Sequence, residues 1–192
     1  MKKKKSSFLN MFITLAVVTL AASASLGFVY ELTKGPIAKA QLEKQKAAIN
    51  EVMSGFDNNP IEEVLSFAMP HSQDSLLFYP VMQGETKMGF AVKTFSKKGY
   101  SGLIELMVGI DTKGNVKQIA VLSHKETPGL GSKIKDDAFK IQFIGVQQGT
   151  ALKVKKDGGN IDAISGATIS SRAVCEAIEL ALATWQENVS AQ

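Results

Sequence analysis

At 192 residues the chain has room for one domain of ordinary size and a membrane segment. Its 22 basic and 18 acidic side chains give a formal charge of +4, but Lys2, Lys3, Lys4 and Lys5 supply the whole excess. The body of the protein is neutral and lacks a basic stripe interleaved with aromatics, which argues against nucleic acid as a partner. A single cysteine, Cys175, rules out an internal disulfide and a thiolate metal site, and His71 and His124 match no ligand spacing, so no metal is expected.

The basic tail, residues 1–7, precedes an uncharged apolar stretch from Phe8 to Tyr30. This stretch is 23 residues long, enough to span a hydrocarbon core as a helix. Eleven of those residues are Leu, Ile, Phe or Val, worth roughly 3–7 kcal/mol toward insertion. The lysines are expected to stay in the cytoplasm, which sends the rest across the membrane. The rival is a cleaved signal peptide, because Ala22-Ser23-Ala24 fits a cleavage site. The apolar run continues through Leu26, Phe28 and Val29, which favours a retained anchor; both readings export the domain.

Gly35-Pro36 places a proline where the first turn of a helix tolerates one. About 17 residues of helix are expected from there to just before Gly55. Residues 57–74 carry little signal. Strands are expected over Ser75–Val81, Lys87–Phe95, Leu103–Asp111 and Val116–Ser123, with Asp111 to Asn115 as a hairpin turn between the last two. Ser132 reads as the N-cap of a helix over Ile134–Phe143, with Ile134, Ala138 and Ile141 or Phe143 inward. A further strand, Thr150–Lys155, leads through Gly158-Gly159 to a final helix, Ile169–Glu187, whose inner face carries Val174, Ile178, Leu182 and Trp185. Cys175 falls within that helix as a small buried hydrophobe. Strands in a run with helices at the ends define an α+β domain on an antiparallel sheet. Residues 31–74 serve as a linker helix and connecting segment, and residues 75–192 as the exported domain.

Two loops and one run invite a functional reading beside a plain one. His124 to Gly131 is turn-rich through Pro128, Gly129 and Gly131 alone. Equally, backbone beside Glu126 and Thr127 can hydrogen-bond the edge of a planar ring while Leu130 packs on its face. Gly99 to Gly102 is a tight turn, or a turn that offers Tyr100 to a planar ligand. The run Asp162-Ala163-Ile164-Ser165-Gly166-Ala167-Thr168 meets the start of the last helix. Ser165, Thr168 or Ser170 there can simply cap that helix. Alternatively, small residues admit a bulky ligand, the helix start favours a phosphate, and Thr168 places a hydroxyl beside it.

The run resembles the flavinylation motif of proteins that carry FMN through a phosphoester to Thr or Ser, with Asp162 first, Ser165, Gly166 and Ala167 next, and Thr168 at the acceptor position. Together with an N-terminal anchor, Leu-Thr-x-x-Pro-Ile-Ala (Leu32 to Ala38), a Gly-Tyr-x-Gly turn and a Glu-Thr-Pro-Gly-Leu-Gly loop, nearly the whole chain is similar to the FMN-binding G subunit of Rnf (Rsx) ion-translocating electron-transport complexes. It is also related to the C subunit of the sodium-translocating NADH:quinone reductase. The resemblance implies a covalent FMN on Thr168, installed from FAD by a separate flavin transferase that reads the motif, Asp162 included. Glu126, Thr127, Gly129, Leu130, Gly131 and Tyr100 would line the flavin. It further implies a single-pass protein of the bacterial inner membrane with its domain on the periplasmic side, relaying electrons among the other members of the complex.

The chain holds no nucleophile–base pair or acid–base dyad of its own, so no self-contained catalytic residue is expected. The alternatives are a stand-alone exported flavoprotein reductase or electron shuttle, and a non-redox binding module in which the motif is only a cap.

Overall fold

The computed structural model describes residues 8–70 and 74–189; the lysine tail and His71 lie outside the described residues. The chain divides into two compact units, Met1–Glu43 and Lys44–Gln192.

In the first unit every described residue belongs to α1, Phe8–Val52, which continues into the second unit. It is long and apolar enough to cross a membrane. The hydroxyls of Thr14, Thr19, Ser25 and Thr33 each donate to a carbonyl one turn back, at 2.8–2.9 Å. They therefore make no demand on water, as a hydrocarbon setting requires. The separate helix expected to begin at Pro36 does not exist: Pro36 sits inside α1. An interior proline removes only its own hydrogen bond and crowds one carbonyl. Gly35-Pro36 is the one breaker signal there, and α1 runs through it.

The second unit is a five-stranded antiparallel meander in the order β1-β2-β3-β4-β5. The strands are β1 (Leu65–Ala68), β2 (Ser75–Gln83), β3 (Thr86–Gly99), β4 (Gly102–Asp111) and β5 (Val116–Ser123). The four longer ones were expected, with slightly tighter bounds. β1 was not, because four residues at an edge, mostly exposed, carry almost no pattern. Pro80 lies within β2 but beyond the last pairing with β1, Leu65 with Phe78, so its missing N–H breaks no ladder. Asn58 takes over there, donating to the Pro80 carbonyl at 2.9 Å and accepting the Met82 N–H at 3.0 Å.

Side chains alternate between two cores, as the two-residue period of a strand requires. Leu76, Phe78, Phe90, Val92, Ile104, Leu106, Val108, Ile110 and Ile119 face α3 (Thr168–Asn188) and meet its Val174, Ile178, Leu182 and Trp185. This is the face expected for that helix, and Cys175 is buried in it. On the opposite side Tyr79, Val81, Ala91, Met107, Ala120 and Leu122 pack against Ala48, Ile49 and Val52 from the end of α1 and Met53 just past it. Gly109 makes that approach possible, since a Cβ there would stand 2.3 Å from the Val52 carbonyl oxygen.

Two further expectations are corrected. Residues 150–155 are not a strand; Val154 forms one isolated parallel bridge with Ile161, and Lys155–Asp157 turns as a 3-10 helix. The helix over Ile134–Phe143 is broken into a 3-10 turn (Gly131–Lys135), the short α2 (Asp137–Lys140) and a second 3-10 turn (Ile141–Phe143). Ile134, Phe139 and Phe143 are buried while Ala138 and Ile141 are exposed, an inner set that no single 3.6-residue helix provides. Ser132 does not cap this segment; its hydroxyl oxygen accepts the Gly129 N–H at 2.9 Å.

Candidate functional site

Three stretches far apart in sequence close one cavity of about 430 Å3, lined by Tyr100, Glu126, Thr127, Leu130, Gly131, Gly166, Ala167, Thr168, Ile169 and Ser170. The turn between β3 and β4 brings Tyr100, because Gly99 pairs with Gly102 and leaves Tyr100 and Ser101 at the tip. The segment after β5 brings Glu126 to Gly131. The Thr127 carbonyl accepts N–H groups from both Leu130 and Ser132 at 3.2 Å, folding this loop back on itself. The third wall is the start of α3.

Glu126 ties the three together. It is 5% exposed, and one carboxylate oxygen accepts the Ser101 N–H at 2.9 Å while the other accepts the Ser170 hydroxyl at 2.5 Å. A buried carboxylate is tolerated only when its oxygens are satisfied in this way. Gly131 and Gly99 make room for it. A Cβ on Gly131 would stand 2.6 Å from the carboxylate and 2.7 Å from the Ser170 hydroxyl, and one on Gly99 2.8 Å from the other oxygen. Glu126 therefore acts as the keystone of the cavity, with both oxygens already engaged.

His124 supports this loop from behind. Its Nδ1 accepts the Glu126 N–H at 3.1 Å, which places the ring proton on Nε2, a buried atom without a hydrogen-bond partner among the described residues. Burial, reinforced by the Lys135 and Lys44 ammonium groups and opposed by Glu126, holds the His124 pKa below its ordinary value.

The start of α3 is bare. Ala167 occupies the N-cap position and no side chain caps the helix, so the plain capping role expected for Ser165, Thr168 or Ser170 is not filled. Ser170 is turned to Glu126, and Ser171 accepts the Ile164 N–H at 3.0 Å while donating to the Ala167 carbonyl. An uncapped helix start beside a cavity presents N–H groups and a positive dipole end to whatever anion enters. Gly166 turns the chain into the helix with φ of 73°, and Thr168, half-buried, lines the cavity.

Of the residues expected at the site, Thr168, Ala167, Gly166, Glu126, Thr127, Leu130, Gly131 and Tyr100 come together. Ser165, Gly129 and Asp162 do not line the cavity. Asp162 is exposed and its carboxylate pairs with Lys155 Nζ at 2.7 Å. Ile169 and Ser170 were missed as walls. Helical spacing from Thr168 could not have found Ser170, because side chains two apart on a helix do not share a face; its bond to Glu126 brings it there. No group of three or more His, Cys, Asp or Glu able to hold a metal occurs among the described residues.

A cavity of this volume falls within the range of about 300–1,000 Å3 usual for small-molecule and cofactor sites. Aromatic and aliphatic walls beside small residues and a free helix start suit a planar ring joined to a phosphate. Residues 99–183 match the family model described as FMN-binding domain, the class of domain whose ligand this cavity suits. Residues 1–52 match the RnfG N-terminal region. The chain is 34% identical to the G subunit of the ion-translocating oxidoreductase complex of Aliivibrio fischeri strain MJ11, over 93% of this chain and 88% of that one. It is 33% identical to the G subunit from Methanosarcina acetivorans, over 95% of each. The chain belongs to the family of G subunits of ion-translocating oxidoreductase complexes. Among solved structures, the C subunit of the Na(+)-translocating NADH-quinone reductase from Parabacteroides distasonis shares the fold. Its TM-score is 0.59 at 18% identity, covering 80% of this chain and 96% of that one.

Proposed function

We propose that this protein holds FMN bonded through its phosphate to the Thr168 hydroxyl and relays single electrons or pairs between its neighbours in a membrane-bound, ion-translocating oxidoreductase. The observation that carries this reading is the position of Thr168 at an uncapped helix start, on the wall of a cavity that it shares with Tyr100, Glu126 and Leu130. The bound flavin supplies the redox chemistry. The chain's own residues would do the rest: the first N–H groups of α3 would hold the phosphate, Leu130, Ile169 and Tyr100 would shelter the ring, and Thr127 and Gly131 would offer backbone to its polar edge. Glu126 holds these walls in register.

Attachment requires a donor. With FAD as substrate of a separate transferase, the new Thr168 oxygen–phosphorus bond replaces the pyrophosphate bond and AMP leaves, with the hydroxyl proton released. A covalent link matters for a domain outside the cytoplasm, where a reversibly held cofactor is lost by dilution; a tether keeps its local concentration high. The apolar, uncharged part of α1 is read as a single inner-membrane anchor with the domain on the periplasmic side, and ion movement is left to partner proteins of the complex.

The test is the intact mass of protein purified from membranes of a host that makes the transferase, wild type beside Thr168→Ala. The expected result is one FMN phosphoester on the wild type and none on T168A. An unmodified wild type, or equal modification of both, contradicts the assignment.

A further inference from the structure

Asp162 opens the acceptor run, yet its side chain points out: the carboxylate is 67% exposed and meets Lys155. What the fold grips is its main chain. Gln142, in the 3-10 turn after α2, accepts the Asp162 N–H at 2.7 Å and donates from Nε2 to the Asp162 carbonyl at 3.3 Å. The same Nε2 reaches the Phe139 carbonyl at 3.4 Å, which orients the amide. One side-chain amide thus pairs with both polar groups of one residue, as a neighbouring strand would. Two residues on, Ser171 accepts the Ile164 N–H at 3.0 Å, and the Ala167 N–H returns to the Ile164 carbonyl at 2.9 Å. The loop is fixed at 162 and at 164, leaving Ser165 and Gly166 exposed just before Thr168.

We infer that Gln142 is the positioning residue of the tether: its grip on the Asp162 main chain fixes the loop leading to Thr168, and so fixes where a group bonded to Thr168 rests in the cavity. The inference rests on Thr168 being the flavin acceptor. Gln142 does not line the cavity and acts only through the loop. Its amide is suited to this because it offers a donor and an acceptor side by side. Glutamate keeps the acceptor but sets an oxygen against the Asp162 carbonyl, and alanine removes both bonds. Lys155, by contrast, neutralises the carboxylate at the surface and leaves the main chain untouched.

The test uses the full chain, made with the FAD-dependent transferase and purified from membranes, as wild type, Q142A, Q142E and K155A. Intact mass counts the FMN; visible circular dichroism and iodide quenching of flavin fluorescence then report how the ring is seated. The expected result is the added FMN on all four proteins. Q142A should lose about half or more of the visible dichroism and gain about threefold in quenching constant, with Q142E between and K155A like wild type. Should Q142A fail to accumulate, Q142E carries the comparison. Unchanged dichroism and quenching in a flavin-bearing Gln142 variant overturn the inference. Absence of FMN from the wild type overturns the Thr168 assignment instead, so the two failures are told apart by mass alone.

Discussion

At the scale of single residues, the site depends on groups that are satisfied by one another rather than by water. His124 shows how protonation can undo this. Its Nδ1 must stay unprotonated to accept the Glu126 N–H, and its pKa is depressed in the folded protein, by burial above all and then by Lys135. A histidine whose folded pKa lies below its unfolded value of about 6.5 contributes stability that is complete above pH 6.5. That stability is lost as pH falls below 6.5, where the unfolded chain takes up the proton first. Chemical denaturation between pH 7.5 and pH 5 should therefore show a loss of stability that His124→Asn largely flattens, because the asparagine amide oxygen stands where Nδ1 does and can accept the same N–H without titrating. An identical slope in the variant would place the titrating group elsewhere.

At the scale of elements, the helix α3 does two jobs with one sequence. Its inner face supplies Val174, Ile178 and Leu182 to the core, all fully buried, while its first turn forms a wall of the cavity. Thr94 in β3 donates to the Ala177 carbonyl at 2.7 Å, fixing the register of helix on sheet. Ile178→Ala should cost about 2–5 kcal/mol in equilibrium unfolding, as large-to-small changes in cores do. On the proposed attachment at Thr168, the flavin count should stay unchanged at temperatures where the variant is folded. The periodicities that define α3 and the long strands were plain in the sequence, because alternation of two and stripes of 3.6 survive without knowledge of the partner. β1 was not legible, being four residues long, and neither was the breakage of the 131–143 segment, where Ile134 and Phe143 face inward as expected but Phe139 is buried in place of Ala138. At the site, Thr168, the Glu126–Gly131 loop and Tyr100 were readable as motifs. The bonds that assemble them were not: Glu126 meets Ser170 across 44 positions and Gln142 meets Asp162 across 20, and spacing in sequence says nothing of such contacts.

At the scale of the whole molecule, the division at Glu43 and Lys44 falls inside α1 and not at its end. The last turns of this helix belong to the folded unit: Ala48, Ile49 and Val52 are buried against the sheet. Glu51 reaches Lys140 of α2 at 2.8 Å, while Asp137 holds the same ammonium at 2.9 Å. Lys140 is 8% exposed, and its two carboxylate partners outweigh burial and raise its pKa, so it stays charged and needs them both. The position of a truncation thus decides whether the domain survives. A chain beginning at Lys44 keeps the second core closed and should be monomeric and cooperative in thermal unfolding. A chain beginning at Ser54 uncovers Tyr79, Val81, Ala91, Met107, Ala120 and Leu122 as one apolar sheet face and leaves Lys140 without Glu51. An exposed patch of that kind drives association, so this form should aggregate or bind a hydrophobic dye strongly in the same buffer. Size-exclusion chromatography of the two decides it, and equal monomeric behaviour would show that the end of α1 is a passive extension of the anchor and no part of the domain's core.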